Sequence, residues 1–163
     1  MTIQKLVLDT LDDDNYELIA IHSSIASYRL AFLLNKNLNL QLFRKKEDIN
    51  FEYDDLKASF PLYQYNDHFQ YNTYSLLGNK FSAKTEPKKP VPEGLFMSTE
   101  NTYAIKYLIP ELKKVDYFLK IETEASNFSS KVLLTQMLSV SQIITAYPVE
   151  YAVLKSKNNL IFE

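Results

Sequence analysis

Two stretches of the chain change from the alternating pattern of a β-strand to the spacing of an α-helix and back to a strand. The first, residues 16–46, begins with YELIAIHS, continues with SIASYRLAFLLNKN and ends with LNLQLFRKK. The second, residues 115–150, repeats this order, with apolar residues at helical spacing between positions 132 and 140. Two such units with hairpins between them predict a two-layer α+β fold, with a mixed, mostly antiparallel sheet and two main helices packed on one face.

The first helix is expected to bury one apolar stripe. Residues three and four positions apart lie on the same face of a helix, and this spacing relates Tyr28 and Phe32 to Ile25. The predicted apolar face consists of Ile25, Ala26, Tyr28, Leu30, Phe32 and Leu33. Both aromatic side chains are therefore expected to lie in the core.

The stretch FPLYQYNDHFQY, residues 60–71, sets five aromatic rings among amides, one histidine and one aspartate. Asn66 and Asp67 favour a two-residue turn, which would make this stretch a β-hairpin. Because cross-strand partners share a face, the turn determines which side chains point into the core. The predicted core set is Leu62, Phe69 and Tyr71, and the predicted outer set is Tyr63, Tyr65 and His68.

Gly78 and Asn79 predict a second hairpin turn, with Leu76 opposite Phe81. Residues 83–100 contain three prolines and many charges, which prevent regular strand pairing and predict one long loop. We expect a single domain, residues 1–163, that contains this loop.

The charge composition restricts the classes of partner. The chain has 20 acidic against 18 basic residues, a formal net charge of -2, and only two arginines, Arg29 and Arg44. This balance disfavours a protein that binds nucleic acid over its whole surface. The sequence also shows no leader-like start and no apolar run of membrane-spanning length, so we expect no membrane partner.

The chain contains no cysteine and only two glycines. Without cysteine the chain can form neither a disulfide nor a thiolate-bound metal site, and the cytoplasm is the expected location. The two glycines cannot form a P-loop or a dinucleotide-binding fingerprint. We predict no cofactor and no metal site.

Three segments carry a resemblance to a known family: LIPELKKVDYFLKI, YRLAFLLNKNLNLQLFR and the ending LKSKNNLIF. They resemble the IPExxxDY family of uncharacterised proteins found in Bacteroidota, and the resemblance covers most of the chain. The motif residues are Ile109, Pro110, Glu111, Asp116 and Tyr117. Four residues separate Glu111 from Asp116 here, whereas the family name implies three. Membership implies no activity, because the family has no established function.

The motif itself allows two hypotheses. Pro110 suits the first position of a helical turn, with Glu111 near its positive end and Lys113 and Lys114 near its negative end. This charge order favours a structural role, a one-turn helix that joins two strands. The functional alternative places Glu111 and Asp116 in a pocket as paired carboxylates for acid–base chemistry.

Three functions from different classes remain. Composition favours a non-enzymatic interaction or assembly module that binds an unknown protein partner or a second copy through Tyr63, Tyr65, His68 and Arg44. A less favoured hypothesis is a single-stranded RNA binder that stacks bases on the same rings. It would bind phosphates with the FRKK stretch, which contains Arg44, and with the loop lysines Lys84, Lys88 and Lys89. The third is an enzyme built on Glu111 and Asp116.

Overall fold

The structure of the protein, a computed structural model, describes residues 16–85, 102–125 and 127–162. Within these ranges the chain forms strands, two α-helices and short 3-10 helices. The strands are β1 (Tyr16–His22), β2 (Phe43–Arg44), β3 (Ile49–Glu52), β4 (Lys57–Phe60), β5 (Leu62–Asp67), β6 (Asn72–Gly78), β7 (Lys80–Thr85), β8 (Thr102–Tyr107), β9 (Tyr117–Thr123) and β10 (Thr145–Val149). The helices are α1 (Ser27–Leu38) and α2 (Lys131–Leu138), with 3-10 turns η1 (Pro110–Leu112), η2 (Tyr151–Val153) and η3 (Lys157–Leu160).

Six strands form the main sheet in the order β10-β1-β9-β6-β5-β2. Every pairing between described strands is antiparallel, for example Ile19 opposite Leu119 and Leu119 opposite Leu76. The two strand–helix–strand units meet directly, because β1 of the first unit lies between β10 and β9 of the second. The predicted α+β class is confirmed.

Both helices cover one face of this sheet, as expected. Leu30 and Leu34 of α1 and Met137 of α2 are buried in one cluster with the sheet residues Ile19 and Leu119. Burying such aliphatic side chains stabilises the fold by roughly 1.5–3 kcal/mol each. Among the described residues, no helix is long and apolar enough to cross a membrane.

The buried stripe of α1 differs from the predicted one. It consists of Leu30, Ala31, Leu34 and Leu38, whereas Tyr28 is 66% and Phe32 is 63% exposed. The prediction was wrong for both aromatic residues. Four aliphatic residues on the opposite side of the helix already complete the contact with the sheet, so the rings face solvent.

The second face of the sheet is covered as well. The β3–β4 and β7–β8 hairpins, η1 and the C-terminal segment pack there around Phe60 and Phe118, which are fully buried, with Leu108 and Leu160. The β7–β8 hairpin contributes Phe81, whose ring meets the edge of the Phe60 ring. Because both faces of the sheet are buried, the sequence of β1 is largely a continuous apolar run and does not alternate between apolar and polar residues.

The predicted two-residue turn at Asn66 and Asp67 was wrong. Both residues belong to β5, Asp67 pairs with Asn72 of β6, and residues 68–71 form the turn. Phe69 is 96% and Tyr71 is 67% exposed, so neither joins Leu62 in the core. Asp67 holds the longer turn because its Oδ1 accepts hydrogen bonds from the N–H groups of Phe69 and Gln70.

Gly78 and Asn79 do not form a hairpin turn either. β6 continues into β7 across this point, but β6 pairs with β9 and β5, and β7 pairs with β8 in a separate sheet. Glycine at 78 allows a close approach of the Pro61 ring, because an added Cβ would lie 3.1 Å from that ring and the ring would have to shift. Because β6 pairs with β9, Leu76 lies opposite Leu119 and not opposite Phe81.

The prediction of a loop over residues 83–100 was wrong for its first three residues. Residues 83–85 belong to β7, and Thr85 pairs with Thr102 of β8. The remainder of the predicted loop, residues 86–100, lies outside the described residues.

Candidate functional site

The IPE part of the motif forms a one-turn helix, as its charge order predicts. Ile109 is extended and fully buried, and Pro110 occupies the first turn of η1. The N–H of Leu112 donates to the Ile109 carbonyl, which closes the turn. This turn connects β8 to β9, so the motif lies where the chain crosses from a covering hairpin back to the central sheet.

A buried asparagine from another part of the chain holds this turn. The Asn79 side chain donates to the carbonyls of Leu112 and Val115 at 2.9 and 2.8 Å, and it accepts from the Ile109 N–H at 2.9 Å. Its backbone also donates to the Asp116 carbonyl and accepts from the Leu108 N–H. Asn79 is 0% exposed, and it supplies partners for backbone groups that would otherwise be buried and unpaired.

Glu111 binds the C-terminal segment. Its Oε1 accepts from the Ser156 hydroxyl at 2.6 Å and its Oε2 accepts from the Ser156 N–H at 3.1 Å. The Ser156 hydroxyl, followed by backbone N–H groups, lowers the pKa of the Glu111 carboxyl. The two hydrogen bonds from Ser156 come from a segment distant in sequence, and the backbone N–H of Glu111 itself adds a smaller lowering of the pKa.

The DY part of the motif binds the connection between β1 and α1. Asp116 Oδ2 accepts from the Ser23 N–H at 2.9 Å, and the Tyr117 hydroxyl donates to the Ile25 carbonyl at 2.6 Å. Burial, and to a lesser degree the Asp116 charge, raises the pKa of Tyr117, so its hydroxyl stays protonated as a donor. These two bonds join the start of β9 to the segment that leads into α1.

Glu111 and Asp116 therefore bind different segments of the chain, Ser156 and Ser23 respectively. Both carboxylates accept from backbone N–H groups, a contact typical of structural carboxylates. Within the residues that the structure describes, no group of three His, Asp or Glu side chains could hold a metal ion.

The four residues proposed as a binding surface do not lie together in solvent. Tyr63 is only 8% exposed and belongs to the core beneath the helices, and Tyr65 stacks on Tyr74 at a ring distance of 6.0 Å. His68 is exposed in the β5–β6 turn, and Arg44 is exposed, ion-paired with Asp48 and positioned over the Tyr63 ring. A stacking platform of Tyr63, Tyr65, His68 and Arg44 is not formed.

The exposed aromatic pair on α1 was missed. Tyr28 and Phe32 lie one helical turn apart on the side that also carries Arg29 and Lys36, both exposed. We call these four residues the α1 surface. A signal was present in the sequence, because Leu30, Ala31, Leu34 and Leu38 form a second, purely aliphatic stripe that could fill the core by itself.

The Glu111 contact leads to a prediction about pH. Because the folded-state pKa of Glu111 is lowered, its contribution to stability is present above the unfolded value and is lost as the pH falls through the folded value. We expect Glu111→Gln to cost about 0.5–1 kcal/mol at pH near 7, a small value because solvent screens this exposed contact. The difference from the wild type should shrink on acidification below pH about 4. Urea denaturation across pH measures it.

Ser156→Ala provides the second arm of this test, because it removes the hydroxyl that lowers the pKa of Glu111. The double variant should lose less stability than the sum of the two single variants. Glu124→Gln is the matched control, an exposed glutamate whose side chain makes no hydrogen bond to any described residue. Additive effects, or a Glu111→Gln effect that does not change with pH, would contradict the structural role.

No family model, curated protein or solved structure matches this chain. What the protein does must be inferred from the contacts and exposures of its own residues.

Proposed function

We propose that this protein is a non-enzymatic protein-interaction module of the bacterial cytoplasm that binds its partner through the α1 surface. One observation carries the proposal: Tyr28 and Phe32, one helical turn apart, are 66% and 63% exposed. Large side chains of this kind are the usual anchors of protein interfaces, because they bury much area for little loss of side-chain freedom. The resemblance to the IPExxxDY family stays a prediction beside this proposal.

The charges on α1 indicate what kind of partner fits. The helix contains two basic residues, Arg29 and Lys36, and no acidic residue. The two cations lie next to the aromatic pair, since positions 28, 32, 36 and 29 follow one another around about a quarter of the helix circumference. We infer a protein partner that offers an apolar pocket for the rings and acidic side chains for the cations.

The other hypotheses have less support. Single-stranded RNA could also stack on Tyr28 and Phe32, but such binders follow the backbone with a groove of many cations, and the net charge of this chain is -2. An enzyme built on Glu111 and Asp116 would need those carboxylates available to a substrate. Both accept hydrogen bonds from backbone N–H groups, which supports a structural role.

Replacing both rings tests the proposal. The double variant Tyr28→Ala, Phe32→Ala should keep its stability within about 0.5 kcal/mol, because both side chains face solvent. Proteins captured from an extract of the native cells with the wild type should be identified, and each purified candidate titrated against both forms. The double variant should weaken binding of the true partner by about 2–4 kcal/mol, the range of interface anchors.

Phe69→Ala is the matched control, because Phe69 is an equally large and even more exposed aromatic residue on a different part of the molecule. It should bind the partner as the wild type does. Titration of labelled single-stranded RNA at low and moderate salt gives the competing outcome, an affinity that falls steeply with salt. RNA binding that the double variant abolishes, with no protein partner, would overturn the proposal. So would loss of partner binding in Phe69→Ala alone.

A further inference from the structure

The β7–β8 hairpin turns one of its faces away from the core. Cross-strand partners share a face, and the pair of Phe81 and Lys106 lies on the inner face, where the Phe81 ring meets Phe60. The outer face therefore consists of three pairs, which we call the hairpin face: Lys80 opposite Tyr107, Ser82 opposite Ile105 and Lys84 opposite Tyr103. Five of the six residues are exposed, and Tyr107 is half-buried.

Cations and rings form two parallel rows on the hairpin face. β7 supplies two lysines, and β8, about 4.8 Å away, supplies two tyrosines with an isoleucine between them. Lys113, which follows η1, adds a third cation, with its Nζ 5.8 Å from the centre of the Tyr107 ring. Neither strand contains an acidic residue. The hairpin face is therefore positive, although the net charge of the chain is -2.

This arrangement favours a ligand that offers an anion and a ring at every step. Residues on one face of a strand repeat about every 6.8 Å, so Tyr103 and Tyr107 lie about 14 Å apart along β8. On a sheet, rings at such positions stack about two or three bases of a single strand, and nearby cations bind its phosphates. An acidic peptide, in contrast, usually pairs with the edge of a sheet and does not lie across its face.

We propose that the hairpin face binds single-stranded nucleic acid, with bases on the β8 row and phosphates beside the β7 row. The rings of Tyr103 and Tyr107 stack on bases, and Ile105 supplies an apolar contact between them. Lys80 and Lys84 lie where the phosphates pass. The hairpin face is on a different element from the α1 surface, so this inference does not depend on the proposed function.

Fluorescence anisotropy of labelled octauridylate and octathymidylate, at about 50 to 200 mM salt, tests the proposal. The dissociation constant should be on the order of 10–100 µM at the lowest salt, because the cations are few. Three lysine contacts predict a slope of about -2 for the logarithm of the affinity against the logarithm of the salt concentration. Similar affinities for both oligomers would assign recognition to bases and phosphates, and tighter RNA binding would add a contact to the 2′-hydroxyl.

Two variants separate the rings from the cations. Tyr103→Ala should weaken octauridylate binding by about tenfold at an unchanged salt slope, whereas Tyr103→Phe should bind as the wild type does, because it keeps the stacking ring. Lys84→Gln should reduce the size of the salt slope by about 0.7. The matched controls are Tyr71→Ala, at an exposed tyrosine of the β5–β6 turn, and Lys57→Gln, at an exposed lysine of β4. Both should bind as the wild type does.

The contrary outcomes are equally defined. Labelled octaglutamate should bind at least about tenfold more weakly than octauridylate, because it has no rings to stack. Equal binding of the two would show attraction of any polyanion and would overturn the proposal. So would an unchanged affinity in Tyr103→Ala, an affinity that does not vary with salt, or no saturable binding of either oligonucleotide. Loss of binding in the Tyr28→Ala, Phe32→Ala variant would place the nucleic acid on the α1 surface and would also overturn it.

Discussion

Replacing Asn79 by alanine is expected to lower the free energy of unfolding by about 3–5 kcal/mol, a large part of the stability of a domain of this size. The side chain partners three backbone groups, the carbonyls of Leu112 and Val115 and the N–H of Ile109. Alanine leaves all three buried without a partner, at a cost of about 1–3 kcal/mol each that does not add fully. The midpoint of guanidinium denaturation at unchanged m value measures the loss.

Asn79→Asp tests the hydrogen bonds without changing the packing, because aspartate has nearly the same shape as asparagine. It places an oxygen against the Leu112 and Val115 carbonyls and should destabilise at least as much as alanine does. Asn158→Ala is the control, at an exposed asparagine, and should change stability by less than about 0.5 kcal/mol. A loss below about 1 kcal/mol for both Asn79 variants would show that the turn does not depend on this side chain.

The second large effect is expected at Lys120, a lysine that is only 3% exposed in a central strand. Its Nζ donates to the Leu160 carbonyl at 2.8 Å, pairs with Glu122 at 3.0 Å and lies 4.7 and 4.9 Å from the ring centres of Tyr16 and Phe162. Lys120→Ala should lower the free energy of unfolding by about 3–4 kcal/mol, since it removes a buried donor and the packing of the long stem.

The C-terminal segment should loosen in this variant, and hydrogen exchange of residues 157–162 would detect it. Lys120→Met keeps most of the volume of the lysine stem. Its free energy of unfolding should fall by only about 1–2 kcal/mol, because the Leu160 carbonyl is left without its donor. Lys57→Ala is the matched control, because Lys57 forms an ion pair with Glu52 in which both side chains are largely exposed, and it should cost less than about 0.5 kcal/mol. Similar losses for Lys57→Ala and Lys120→Ala would contradict the structural assignment.

Much of the fold could be predicted from the sequence. The change of hydrophobic period located β1, α1, β9, α2 and β10, because the periods of strand and helix are properties of neighbouring residues. The one-turn helix at Pro110 was also predictable, since proline fixes its own backbone angle and charge order follows the helix dipole. Local chemistry is sufficient for elements of this kind.

The hairpin register was not predictable from the same rules. Asn66 and Asp67 favour a two-residue turn by propensity, yet Asp67 accepts hydrogen bonds from Phe69 and Gln70 and moves the turn to residues 68–71. That shift places Phe69 and Tyr71 in the exposed turn. Tyr63 is on the face opposite Leu62 in either register, and it is buried because the helices cover that face. A change of turn length alters every cross-strand pair, so a small local preference has a large consequence.

The motif in the sequence identified the residues of the candidate site, but the sequence did not indicate which residues they contact. Glu111 and Asp116 stood out in the sequence, whereas their partners Ser156 and Ser23 lie in distant segments. Nothing in the neighbourhood of Gly78 and Asn79 indicates that Asn79 serves the motif, because its three side-chain partners lie 30 to 36 positions away.

The sequence by itself determined the class of the fold, the positions of its helices and the turn at Pro110, because each depends on residues within a few positions of one another. Only the tertiary structure decided which stripe of α1 is buried, which rings of the aromatic stretch face solvent and what the motif carboxylates bind. These outcomes depend on which surfaces meet, and both stripes of α1 are apolar enough to be buried. The aliphatic stripe packs against the sheet, and Tyr28 and Phe32 remain in solvent because the space beneath the helix is already filled.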